Sequence, residues 1–480
     1  HAHLPTLRVL MLPNRPMILA AALTLPLFAA APASAHGIQG HIHVTGWAIE
    51  NLPPGDVRDF FEDPVVMNAA LFGAAFTDSG YFPQSGELAG RSRAYSEHTH
   101  WEPFVQDYIE WMVENDPPPW DTQESQIRVA FLMGCASHGL QDEIFDSLFL
   151  YQVQEQDGGG QDEADPGTDG FFASDGYIRF SPTPVVPYTP LLDLYETLNA
   201  GIDRDTIDDA VNIMTTLYVN DSAGAVAAAF GEQYREEIPW TAAHYLDPSI
   251  PGSLRAEINP TVAYIQAIWE RLHGRLDQAV IHVYPEEPRR LRSHLSTTVD
   301  GWVTLTFAAG VDRSSLDLSW QNEDGEDVPF TLAGTRWGNG APRLVRLQPD
   351  VDLAPGERYD VTLAAGAQLL SDTESPPFQT NFQTSCLNNI DPICPDLGEI
   401  PVPSIDGPQD PVEPRADAGA DTSDADVSAA EEPEAESPTA GSGEGGCASV
   451  PPAPLASWLL LAGAGLLRRS RRTGRRYIVS

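Results

Sequence analysis

Between Val129 and Leu150 the chain reads Val-Ala-Phe-Leu-Met-Gly-Cys-Ala-Ser-His-Gly-Leu-Gln-Asp-Glu-Ile-Phe-Asp-Ser-Leu-Phe-Leu, a run apolar enough to predict a buried helix. Three of its few polar positions, His138, Asp142 and Asp146, fall at i, i+4 and i+8, along one helical face. Charge buried in this way needs neutralising, and a divalent cation meets that need. Apolar spacing at Val44, Trp47 and Ala48 predicts an earlier helix that stops at Pro53-Pro54-Gly55. A second helix is expected over 60–73, followed by a loop over 75–83. A third opens around 95–104, runs to Met112 and stops before Pro117-Pro118-Pro119. After the central helix comes a Gly- and Asp-rich loop over 156–170. Helical patterns return over 191–199, 206–219, 225–237 and 262–279. Residues 36–279 are thus expected to form one all-α domain with long functional loops.

From Ile281 the period shortens from 3.6 to 2. Strand-like runs at 302–307, 316–320, 343–347 and 359–363 alternate with turn clusters, which predicts a β-sandwich over 280–385. No catalytic constellation is visible in it. Residues 386–446 hold a candidate disulfide loop, Cys386 to Cys394, and a Pro-, Asp-, Glu-, Ala- and Ser-rich stretch from 395 that reads as a disordered, self-repelling spacer. The last segment, 447–480, places an apolar run, 455–467, between Gly446-Cys447 and a cluster of arginines. That run is short for a bilayer span, which takes about 20 residues, and the arginines would keep its C-terminal end inside.

Composition sharpens this picture. The 480 residues carry 27 basic and 69 acidic side chains, for a net charge of −42. Every basic residue is arginine, and eight of them lie in the acid-free segments 1–35 and 448–480, so the middle of the chain is more acidic still. Such a surface repels nucleic acid and concentrates divalent cations. Residues 16–35 form an apolar stretch after Arg15 that ends in Ala33-Ser34-Ala35, the pattern of a secretory leader. Export followed by anchoring at the cell surface or outer envelope is the expectation, with disulfides permitted. Cys135, inside the central helix, reads as a buried apolar residue.

The polar residues outside the central helix fall into an ordered series. His36-x4-His41, Asp78 before Tyr81-Phe82, His100-Trp101, His138-x3-Asp142-x3-Asp146 and Asp165-x3-Asp169 together resemble the zinc-dependent phospholipase C family. The likeness is greatest to the N-terminal domain of glycosylphosphatidylinositol-specific phospholipase D. There the stretches 129–134, 137–142, 100–104 and 187–198 also match, and the resemblance covers roughly residues 36–240.

The resemblance implies a phospholipase C/nuclease-like helical fold and a phosphodiesterase acting on phospholipid or another lipid-linked phosphodiester. Asp78, His100, His138 and Asp142 would hold one zinc ion. His36, through an amino group freed by cleavage after Ala35, would hold a second with His41 and Asp142, and Asp142 would bridge the two. Asp78 and Asp142 are the expected catalytic residues. The third site departs from the family's pattern, since Asp146 and Asp165 stand where histidines are usual and only Asp169 fits. Three carboxylates favour calcium, magnesium or manganese over zinc, or leave that site empty.

The stretch 353–363 with Phe382 resembles bacterial Ig-like modules appended to secreted enzymes. The C-terminal segment resembles myxobacterial sorting tails, in which Cys447 would meet a sorting protease, with a plain membrane anchor as the alternative. Two other readings of the chain are a non-catalytic, metal-stabilised surface module and a single-strand 3′-nuclease, the latter disfavoured by charge. His43 and His98 are expected behind the ligands or in solvent. His244, His273, His282 and His294 lack motif partners, and Tyr81, Phe82 and Trp101 either line a cleft or pack.

Overall fold

Gly139 stands where two segments of chain nearly touch: a Cβ there would lie 2.1 Å from the carbonyl oxygen of His100. The computed structural model in which this is seen describes residues 37–219, 231–286, 290–291, 301–333, 341–354, 356–371, 374–384 and 402–406. His36, the leader, Cys386, Cys394, Cys447 and the C-terminal run lie outside the described residues, as does the spacer apart from 402–406. All the described residues fall in one compact unit spanning 30–411.

The helices, in order, are α1 Ile38–Glu50, α2 Asp56–Phe60, α3 Pro64–Phe76, α4 Gly86–Thr99, α5 Glu102–Asn115 and α6 Gln123–Ile144. They continue as α7 Leu150–Gln156, α8 Gln161–Ser174, α9 Tyr188–Glu196, α10 Arg204–Met214, α11 Pro239–His244 and α12 Ile258–Leu272. Local chemistry sets several of these starts. The Asp63 carboxylate accepts from the Val65 amide, Thr122 caps α6 through the Ser125 amide, and Asp203 caps α10 through Thr206. At the centre α6 packs on α3 with almost no side chain between them, since a Cβ at Gly134 would sit 2.0 Å from the Ala70 carbonyl oxygen.

Three expectations need correcting. The central helix does not run unbroken to Leu150: the α-helix ends at Ile144 and opens into a π turn, Phe145–Phe149, that contains Asp146. The helix expected to begin near residue 95 is two helices broken at His100 and Trp101, with Pro103 in the first turn of α5. The acidic loop over 156–170 is helical from Gln161. Asp162 and Glu163 suit its N-terminal dipole, and Glu163 accepts from the Gly160 amide at 3.0 Å.

The strands are β1 Val280–Tyr284, β2 Arg290–Leu291, β3 Val303–Phe307, β4 Leu318–Asn322, β5 Phe330–Ala333, β6 Leu344–Pro349, β7 Arg358–Leu363 and β8 Phe378–Thr384. They form two four-stranded sheets, β1-β3-β6-β5 and β2-β8-β7-β4, antiparallel throughout except for the β2–β8 pair. Val303, Leu305, Phe307 and Leu347 of the first sheet share a core with Trp320, Val361, Leu363 and Phe382 of the second. Trp302, Ala308 and Leu344 instead join the core of the helices. Among the described residues no helix is long and apolar enough to cross a membrane.

Candidate metal centre

Four elements deliver five polar side chains to one buried point. His41 comes from α1, Asp78 from the turn after α3, His100 from the break between α4 and α5, and His138 and Asp142 from α6. His138 and Asp142, one turn apart, share a face of α6. The close α3–α6 packing brings the Ala74 carbonyl within 2.6 Å of His138 Nδ1. His100 Nδ1 lies 2.6 Å from the Ser96 carbonyl, and His41 Nδ1 lies 3.0 Å from Gln141 Oε1. Each acceptor demands a proton on Nδ1, so in the neutral rings every Nε2 carries a lone pair turned inward.

Those lone pairs converge. Nε2 of His138 is 3.2 Å from Nε2 of His100. Asp142 Oδ2 lies 3.4 Å from both nitrogens, and its Oδ1 lies 3.1 Å from His41 Nε2. Asp78 Oδ1 is 3.2 Å from His100 Nε2 and 3.7 Å from His138 Nε2. Two imidazole nitrogens facing each other at this distance need a proton or a metal ion between them. Two overlapping trios, His41–Asp78–His138 and His100–His138–Asp142, each bring their ligand atoms within 4.8 Å of one another. Nitrogen and carboxylate donors in this mixture could bind a divalent transition metal. All five are buried: Asp142 keeps 6% of its surface exposed, Asp78 and His100 3% each, and His41 and His138 none.

Ionisation of these groups reflects how closely their charges are crowded. Burial alone would lower the pKa of His100, but its hydrogen bond to Asp78 and the charge of Asp142 raise it to about 9. Burial also opposes charge on His41, yet Asp142 carries that ring above its usual value. His138 goes the other way, lowered by burial and then by the neighbouring His41. Asp142, against its own burial, is held well below the usual carboxylate range by His138 and His41. Three rings compete for too few protons around two fixed carboxylates.

The acidic residues expected at a third site do not close in the same way. Asp146, Asp165 and Asp169 belong to neither trio, and no other such group occurs among the described residues. Both Asp169 oxygens accept amides at the start of α1, from Gln39 at 3.2 Å and Gly40 at 3.0 Å. Burial raises Asp169 to about 7 in spite of those bonds. Asp165 is raised well above its ordinary value by burial and by Asp146, and its Oδ1 has no hydrogen-bond partner among the described residues.

Glu257, just before α12, was not singled out from the sequence. It is fully buried and is raised well above its usual value by desolvation and by Asp142 and Asp146. Its signal was faint, a lone acid in an ordinary helical approach.

His43 is neither exposed nor a member of the centre. It is fully buried, its Nδ1 donates to the Gln39 carbonyl at 2.7 Å, and its Nε2 accepts from the Arg179 and Phe180 amides. His98 is half-buried against Phe104 and Tyr195. Tyr81 and Trp101 flank His100, and both donate to Glu97, at 2.9 Å and 3.2 Å. Cys135 is buried with its thiol donating to the Gly73 carbonyl, and burial pushes its pKa up, as for an inert core cysteine.

No protein-family model matches the chain. Among solved structures, CopC from Methylosinus trichosporium OB3b is similar at a TM-score of only 0.19, with 18% identity over 23% of this chain and 97% of that one. Among curated proteins, the phosphatidylinositol-glycan-specific phospholipase D of Mus musculus is 29% identical over 198 residues, or 39% of this chain and 23% of that protein. The Rattus norvegicus enzyme is 31% identical over 132 residues, 27% of this chain and 15% of its own length. The chain thus spans under a quarter of the length of these curated relatives, and its likeness to a phospholipase is partial.

Proposed function

We propose that this chain is a metal-dependent phosphodiesterase that hydrolyses phospholipid or another lipid-linked phosphodiester, with zinc as its metal. The observation that carries the reading is the convergence of three inward-facing Nε2 atoms and two carboxylates on one buried point. Partial similarity to phosphatidylinositol-glycan-specific phospholipases D supports the choice of a lipid phosphodiester as substrate. His41, Asp78, His100, His138 and Asp142 would hold the metal. When bound, divalent zinc neutralises phosphate charge and acidifies water.

The protein's own part is to keep three imidazoles in one tautomer, to set Asp142 between His41 and the His100–His138 pair, and to bury all five donors away from bulk water. Asp142, with the largest residual exposure of the five, is suited to orient the attacking water. Export, and anchoring through 447–480, belong to the same proposal and rest on the sequence of segments outside the described residues.

Purified protein should cleave phosphatidylcholine, phosphatidylinositol or a chromogenic phosphodiester, lose that activity in chelator and regain it with zinc. Inertness across such a panel with metal bound would leave the alternative, a non-catalytic metal-stabilised module. The acidic residues that stay outside both trios favour that alternative.

A further inference from the structure

Arg343 precedes β6, in the part of the chain where the sequence shows no catalytic constellation, yet its side chain lies wholly within the helices. It is fully buried and meets α5 and α6 with every donor group. Its Nε donates to Glu143 Oε1 at 2.9 Å, while its own amide and that of Leu344 donate to Glu143 Oε2 at 2.9 and 3.1 Å. Nη1 reaches the Ala136 carbonyl at 3.4 Å, and Nη2 reaches the carbonyl of His100 at 3.2 Å. Glu102, two residues after His100, lies 3.8 Å from Nη1 and also pairs with Arg271 at 2.7 Å.

One guanidinium therefore grips the backbone of His100 on one side and, through Glu143, the residue after Asp142 on the other. Gly139 makes this grip sterically feasible, because its missing side chain leaves the His100 carbonyl and the guanidinium room against α6. A lysine ammonium could neutralise Glu143 but lacks the planar fork that serves several acceptors at once.

We propose that Arg343 is a positioning residue of the metal centre, so that the two-sheet part of the chain sets the spacing of His100 against His138 and Asp142. This rests on the reading that those side chains bind metal. Groups standing behind metal ligands typically change metal affinity by roughly 10- to 100-fold when altered.

The test uses the full chain with Arg343→Lys and, as a control, Arg346→Lys. Arg346 donates to the Ser147 carbonyl at 2.6 Å and stacks on Tyr151 and Trp302, so its replacement disturbs the same junction at a different point. Thermal unfolding of the metal-free proteins first establishes that both variants fold. Zinc affinity and the visible spectrum of the cobalt-loaded proteins are then compared.

The expected result is zinc affinity about tenfold or more weaker and an altered cobalt spectrum in Arg343→Lys, with wild-type values in Arg346→Lys. Equal affinity and an unchanged spectrum in Arg343→Lys would overturn the positioning role. So would equal losses in both variants, which would mark a general effect of the junction. Should Arg343→Lys not fold, Glu143→Gln, which removes the charge and turns one of the two accepting oxygens into an NH2 donor, is read against the same two outcomes. Failure of the wild-type chain to bind zinc or cobalt would defeat the metal reading itself, and the positioning role with it.

Discussion

At the scale of single residues, the centre is a contest for protons. The pKa of His100, about 9 against an ordinary 6.5, means that a metal must displace a proton from it below that pH. Zinc affinity is expected to climb with pH by about tenfold per unit for one displaced proton and to level off near 9. Calorimetric titrations at several pH values check this, and a flat profile would refute it. The same group has a linked effect on the metal-free protein. Its stabilising contribution is fully present below 6.5 and is lost as pH rises through about 9.

His43 has the opposite sign, because its pKa falls from 6.5 to about 4 through burial. Unfolded chains bind the extra proton between those values, so stability should drop as pH falls from 6.5 toward 4, by on the order of 3 kcal/mol in all. Denaturation midpoints for wild type and His43→Gln across that window provide the measurement, and the variant should show the smaller slope. Five of the side chains picked from the sequence, His41, Asp78, His100, His138 and Asp142, are brought together; His138 and Asp142 stood out from the apolar run around them, and the other three only through the ordered series. Asp169 was equally conspicuous, but spacing alone does not distinguish a carboxylate that faces a cation from one that accepts helix amides.

At the scale of elements, the close contact of α3 and α6 is what aims His138. Gly134→Ala would drive a methyl group into the Ala70 carbonyl and the Ala74 amide, whose residue also supplies the acceptor for His138. The expected loss is roughly 1–3 kcal/mol of stability, with weaker metal binding beside it. Urea midpoints and zinc titration of the variant test both parts, and an unchanged midpoint would show that the helices can part freely. Long periodic segments such as α6 were legible in the sequence because burial enforces their pattern. The break at His100 had a local signal that went unread, since Pro103 suits a first helical turn and not a helix interior, whereas nothing in the spacing marked the π turn at Asp146. The helix from Gln161 was hidden by glycines and acids that suit a loop equally well.

At the scale of the whole molecule, the change from helical to strand periodicity near Ile281 was plain in the sequence, but the joining of the two parts was not. Trp302, Ala308 and Leu344 complete the core of the helices, and Arg343 neutralises Glu143 inside them. A fragment ending at residue 279 loses all four. Breaking a buried ion pair costs about 3–5 kcal/mol, so the fragment should unfold at markedly lower denaturant than the full chain or precipitate. Equal midpoints would mean that the helices stand alone. Glu143 itself carried a signal that went unread, because an acid directly after Asp142 must point away from the metal face and so needs a partner of its own.

The reach of Arg343 also has a consequence in time. A ribosome makes Glu143 two hundred residues before it makes the arginine that holds it. Until the sheets exist, His100 and Asp142 sit on a scaffold with its clasp still open. Metal acquired at that stage would meet loosely spaced donors, whereas metal acquired after completion meets fixed ones. Loading of the centre is thereby expected to follow chain completion, which makes maturation the last step of biosynthesis rather than an early one.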